Sequence, residues 1–230
     1  MVVFVYIWLA VYRNGGTAGD YSLKSLIAYY LIMFVIFLSY KGVGDIAWNL
    51  SDYIRLGSFS NFLVKPMDLT KYYISRSIGL FVYDFFVLIV IVIALLFFAN
   101  LGFSLLNILF FVLSLILAAG IYFFISYAIG LLAFHFGMVM GLNFLMSNMI
   151  AFFSGSMLPL DLLSGNIRAW ADFLPFRYIG FFPLNVIQGK LSLSEMLWGF
   201  GGGLLWLGAL SLLAKFIYHS GVKKYEAYGA

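Results

Sequence analysis

Residues 104–159 read SLLNILFFVLSLILAAGIYFFISYAIGLLAFHFGMVMGLNFLMSNMIAFFSGSMLP, from Ser104 to Pro159, with no Asp, Glu, Lys or Arg and one histidine, His135. A soluble domain has no use for such a stretch. At about 1.5 Å of rise per residue it is long enough to cross a roughly 30 Å hydrocarbon layer twice. The polar break near its middle, His135-Phe136-Gly137, is where the chain must reverse. The fold class that follows is an all-α polytopic membrane protein.

The rest of the chain agrees. Of 230 residues, 64% are hydrophobic, 20% aromatic and only 10% charged, against about 25% charged in an average soluble domain. Apolar length predicts six spans, over residues 1–12, 23–40, 73–99, 104–133, 138–158 and 193–218. The first is short, about 18 Å as a helix, and is read as the end of a longer span or a half-span. A secretory signal fits poorly, because no Lys or Arg precedes the apolar run. Residues 1–230 form a single transmembrane domain without an internal repeat.

Charge sets the expected orientation, since cytoplasmic loops collect Lys and Arg. With both termini inside, Lys41, Arg55, Lys65, Lys71, Arg76, Lys215, Lys223 and Lys224 are cytoplasmic, and Arg13, Lys24, Arg168, Arg177 and Lys190 are external. Five of the inside charges fall in one segment. The net charge of +4 is too small and dispersed for nucleic acid; the partner implied by composition is membrane lipid. The absence of cysteine excludes disulfides and thiolate chemistry. His135 and His219 lack a carboxylate at ligand spacing, so neither a metal nor another cofactor is expected. No G-x-x-x-x-G-K phosphate loop is present, and the chain has no ATPase site of that kind.

Residues 41–72 form the longest polar stretch. Ile46, Leu50, Tyr53, Ile54 and Gly57 fall on one side of a helix, and Asp45, Asn49 and Asp52 on the other. Trp48 and Tyr53 suit a membrane–water boundary. This element should lie along the inner surface or tuck beneath the bundle. Pro66 then ends it, and Asp68 or Thr70 can cap the next helix. In that helix Asp84 is the one acidic group at membrane depth, a functional position by default or a partner for nearby Arg76. Residues 159–192 are semi-polar, with Pro159, Pro175 and Pro183 among Phe176, Tyr178 and other aromatics. Short external re-entrant helices have that composition. The spacings Gly137-x-x-x-Gly141 and Gly199-x-x-x-Gly203 allow close helix approach.

Four stretches together resemble a known group. Ile54-Arg55-Leu56-Gly57-Ser58-Phe59 followed by Phe62-Leu63-Val64-Lys65-Pro66 is one, and Met157-Leu158-Pro159-Leu160-Asp161-Leu162-Leu163 another. The third is Leu174-Pro175-Phe176-Arg177-Tyr178 with Phe182-Pro183 and Gly189. The tail Gly221-Val222-Lys223-Lys224-Tyr225-Glu226-Ala227-Tyr228-Gly229 is the fourth. In order and spacing they resemble the type-2 permeases of ATP-binding-cassette (ABC) exporters, in particular small stand-alone permeases. Members usually begin with an interfacial helix and a complete first span, both missing or shortened here.

The resemblance implies an export path formed by two permeases, the second a copy or a sister chain. It also implies a separate cytoplasmic ATPase and a location in a bacterial-type cytoplasmic membrane. Asp52, Ile54, Arg55, Gly57, Phe59, Lys65 and Pro66 would couple to the ATPase. Pro159, Pro175, Phe176, Tyr178 and Pro183 would shape an external gate. Other readings remain: an ion-coupled secondary transporter using Asp84, an integral membrane lipid-modifying enzyme, or a non-transporting scaffold. The first would usually show paired broken helices, and the second needs a cluster of reactive side chains. Neither feature is visible in the sequence.

Overall fold

The computed structural model describes residues 2–17, 19, 21–60, 62, 68–98 and 104–225. Lys65, Pro66, the turn at Asn100-Leu101-Gly102 and the tail from Glu226 lie outside them. The described chain is helical, with no strand. In order the helices are α1 (Val2–Arg13), α2 (Leu23–Leu38), α3 (Lys41–Gly44), α4 (Ile46–Arg55), α5 (Leu69–Phe98) and α6 (Leu105–Leu131). After these come α7 (Ala133–Phe136), α8 (Met140–Phe153), α9 (Gly165–Phe173), α10 (Phe181–Ile187) and α11 (Leu193–Val222). Short 3-10 turns at Leu160–Leu162 and Pro175–Tyr178 flank α9.

Helix starts follow side-chain caps. The Ser22 hydroxyl accepts from the Ser25 amide at 3.1 Å, and the Ser104 hydroxyl from the Leu106 amide at 3.2 Å. Asp68 caps α5 by accepting from the Lys71 amide at 2.9 Å, as one of the two expected caps. Thr70, the other, pairs instead with the Tyr127 hydroxyl at 3.0 Å. Ser192 and Glu195 close a reciprocal capping box on α11. Each such contact satisfies amide donors that the first turn of a helix leaves open.

Among the described residues, two helical stretches, Leu105–Phe136 and Leu193–Val222, are long and apolar enough to cross a membrane. The pair Leu23–Leu38 and Lys41–Arg55 passes the same test only when taken together, and it is bent by 53° at its break. Helix α5 has 30 residues over the third expected span, about 45 Å of rise. The reversal expected at His135-Phe136-Gly137 is present, with α7 ending at Phe136 and Gly137 at φ 68°.

The fifth expected span is shorter than residues 138–158. Helix α8 has 14 residues, about 21 Å, because Gly155 at φ 86° breaks it. Partners take over the carbonyls there: Tyr29 donates its hydroxyl to the Gly155 carbonyl at 2.6 Å, and the Phe181 amide donates to Ser154 at 2.9 Å. The core forms around α6, against which α11, α4 and α10 pack. Tyr29, Tyr30, Tyr40, Tyr73, Phe111, Tyr127 and Phe182 are fully buried within it. Small residues let the helices close: a Cβ on Gly203 would stand 2.5 Å from Leu117 of α6. At Gly137 and Gly141 a Cβ would meet nothing within 4 Å. The expected close approach at that second pair of glycines is absent among the described residues.

Candidate functional site

The long helices define two ends of the bundle, and most of the singled-out residues gather at one or the other. At the first end, α4 docks under the C-terminal turns of α6. Ile46, Ala47, Leu50, Ser51 and Ile54 are buried, and a Cβ on Gly130 would stand 3.0 Å from Leu50. The opposite face stays open. Arg55 and Asp52 pair there at 3.2 Å, with 47% and 55% of their side chains exposed. Tyr53, expected on the apolar face, is 40% exposed and packs edge-on against Phe62.

The turn that follows is built on Gly57, at φ 79°. It returns the chain so that Phe59 is buried, with its amide donating to the Tyr53 carbonyl at 2.9 Å. The Phe59 ring meets Phe134 of α7 at 4.9 Å and Tyr225, beyond α11, at 5.0 Å between centroids. Tyr225 donates its hydroxyl to the Gly57 carbonyl at 2.9 Å. Two stretches distant in sequence, the Ile54–Phe59 element and the Lys223-Lys224-Tyr225 tail, therefore touch. Tyr225 had no place among the expected site residues. Its only sequence signal was membership of the tail motif.

At the second end, the later part of residues 159–192 packs into the bundle, while α9 keeps Ile167, Trp170 and Phe173 exposed. Every residue of α10 is buried, as are Pro175, Phe176 and Tyr178. Pro183 lies within α10, and Pro159 opens the 3-10 turn Leu160–Leu162. The aromatics of this segment fit the glycine face of α11: a Cβ on Gly199 would fall inside the Phe182 ring contact, and one on Gly202 inside that of Tyr178. Phe153 of α8 stacks on Phe176 with centroids 6.2 Å apart.

A ladder of charges borders this segment. Arg168 donates from Nε to Asp172 at 2.8 Å and from a terminal nitrogen to Asp161 at 3.3 Å. Arg177 reaches Asp172 at 2.7 Å. Tyr21, before α2, donates its hydroxyl to Asp161 at 2.7 Å and accepts from Lys190 at 3.2 Å. Burial, reinforced by the bond to Asp161, pushes the Tyr21 hydroxyl pKa up. Burial pulls that of Lys190 down, against the opposing pull of Asp161. These groups line a cleft of about 1010 Å³ that also borders Trp198 and Gly199 of α11. A smaller cavity of about 220 Å³ lies between α3, α4, α6 and α8, lined in part by Lys41, Asp45, Tyr122 and Asn143.

Asp84 stands apart from both ends. It lies in α5, partly buried, and forms no ion pair among the described residues. Arg76 is exposed and does not pair with it. If Asp84 carried a transported proton or cation, Asp84→Asn would abolish transport. With no ion pair to Asp84 among the described residues, the expected result for Asp84→Asn is transport within about twofold of wild type, measured in inverted vesicles. Loss of transport in the variant, with wild-type transport responding to an imposed ion gradient, would instead favour the ion-coupled reading.

Among the described residues the chain is all-helical, with apolar helices long enough to cross a membrane packed around a tyrosine-rich core. A family model described as ABC-2 family transporter protein matches residues 1–229. The chain belongs to the ABC-2 transporter family, and the resemblance in its four motifs is accounted for by that membership. No curated protein and no solved structure matches it.

Proposed function

We propose that this chain is the permease subunit of an ABC exporter, forming the export path with a second permease and driven by a separate cytoplasmic ATPase. The observation that carries this reading is helix α4. Its apolar face is buried against the end of α6 while Asp52 and Arg55 face outward. A helix docked this firmly moves with the bundle when pushed. Its free polar face offers the partner charge-assisted contacts.

In this reading ATP binding closes the ATPase dimer, displaces α4 and the Gly57 turn, and tilts the helices they touch. At the other end the folded-back segment with Pro159, Pro175, Phe176, Tyr178 and Pro183 acts as the outer gate, over the cleft beside α11. Lys65 and Pro66 extend the coupling element. The protein resides in the cytoplasmic membrane with both termini inside, and the partner permease is a second copy or a sister chain.

The test is copurification in gentle detergent, in which a cassette ATPase should accompany the chain. Recovery of none would overturn the reading. Arg55→Glu sharpens it. Exposed ion pairs contribute about 0–1 kcal/mol to stability, so this variant should fold normally. Reversing a charge that a partner reads changes binding more strongly. Export per ATP hydrolysed in proteoliposomes should drop by about tenfold, and unchanged coupling would exclude Arg55 from the contact.

A further inference from the structure

We infer that Tyr225 is a positioning residue for coupling: it pins the Gly57 turn to the end of α11, making the C-terminal tail part of the transmission. The inference rests on the proposed function above and adds the route by which displacement of α4 enters the bundle.

The turn after α4 has few packing links of its own. Gly57 bends the chain at a positive φ, and beyond it only Phe59 among residues 57–60 is buried. Phe59 is held by two rings from elsewhere in the chain, Phe134 and Tyr225, whose own centroids are 5.8 Å apart. Three elements thus share one aromatic cluster: the loop after α4, helix α7, and the residues just past α11. The end of α11 is seated closely as well, because a Cβ on Gly221 would stand 2.7 Å from Phe134. Motion of the turn therefore has a packed path into the longest apolar helices. Edge-to-face pairs of this kind fix direction as well as proximity.

The hydroxyl adds a feature that packing does not require. The Gly57 carbonyl already accepts from the Ser60 amide at 3.2 Å and the Ser60 hydroxyl at 2.8 Å. Tyr225 supplies a third donor at 2.9 Å. Removing it leaves no acceptor unsatisfied, so the larger penalty for an orphaned buried group does not arise. Its role is to tie the turn to the tail rather than to support the fold.

Tyr225→Phe keeps the ring and removes only this tie. Loss of one net hydrogen bond corresponds to a roughly fivefold change in an equilibrium. In proteoliposomes of permease with ATPase, export per ATP hydrolysed should fall by about fivefold, with thermal stability and copurified ATPase unchanged. In the permease alone, hydrogen exchange at the amides of residues 57–60 should accelerate by a similar factor. Tyr225→Leu, which also loses the ring contacts, should be worse in both. Wild-type coupling and exchange in Tyr225→Phe would overturn the inference. If no ATPase accompanies even the wild type, the proposed function fails, whereas the exchange measurement still decides whether the tie exists. Faster exchange with unchanged coupling would confine Tyr225 to local structure and also defeat the inference.

Discussion

For the exporter subunit proposed above, Gly57→Pro is expected to abolish export while leaving the chain in the membrane and the partner ATPase attached. The backbone at Gly57 has φ 79°, and proline is fixed near −65°. The amide that donates to the Ile54 carbonyl at 3.3 Å is lost as well. Leu56, at φ −84° and ψ 4°, would precede a proline in a conformation that proline disfavours. Together these exceed about 3 kcal/mol, enough to rebuild the turn and separate Phe59 from its cluster. The buried residues that dock α4, from Ile46 to Ile54, come before the substitution and should hold. Export from vesicles should fall by at least about a hundredfold, since each 1.4 kcal/mol is tenfold. Gly57→Ala tolerates the same φ at a cost of about 1–2 kcal/mol and should be intermediate. Normal export from the proline variant would remove the turn from the mechanism.

The second large effect belongs at the opposite end. Gly199→Leu drives a side chain into Phe182, with which even a Cβ would collide. Overpacking a closed contact costs about 1–3 kcal/mol, and the melting temperature in detergent should fall by about 5 °C. On the proposed reading, export should decline by about tenfold as α11 is pushed off the segment that carries Phe182. Phe182→Ala opens the space, so the double variant should recover stability lost by the single ones. That non-additivity is what contact between two residues predicts. Gly208→Leu is the control, because a Cβ there meets nothing within 4 Å. Simple additivity of Gly199→Leu and Phe182→Ala would mean that the two residues are not in competition for the same volume.

Much of the fold is legible in the sequence. The stretch Ser104–Pro159 declared its helices and their reversal because long apolar runs interrupted by His135-Phe136-Gly137 leave few alternatives. The buried face of α4 was readable from period 3.6 alone at Ile46, Leu50 and Ile54. Tyr53 escaped that pattern because an aromatic ring can pack sideways on Phe62 while its edge stays in the open. The depth of α10 was not legible, since proline and aromatic content describe an interfacial segment and a buried plug equally well. Nor was the length of α8, which ends where Tyr29 and Phe181, far away in sequence, take its last carbonyls. Contacts between distant segments, such as Tyr225 on Gly57, have no signature in a single chain read linearly.

The cluster of Phe59, Phe134 and Tyr225 contains no formal charge, whereas the outward face of α4 bears Asp52 and Arg55. Ionic strength acts on these unequally, because dissolved salt screens exposed charges over about 8–10 Å and leaves ring contacts untouched. Raising salt would therefore loosen a partner's grip on α4 without softening the aromatic joint behind it. Engagement and transmission, one electrolyte-sensitive and the other indifferent, become separable in the same preparation.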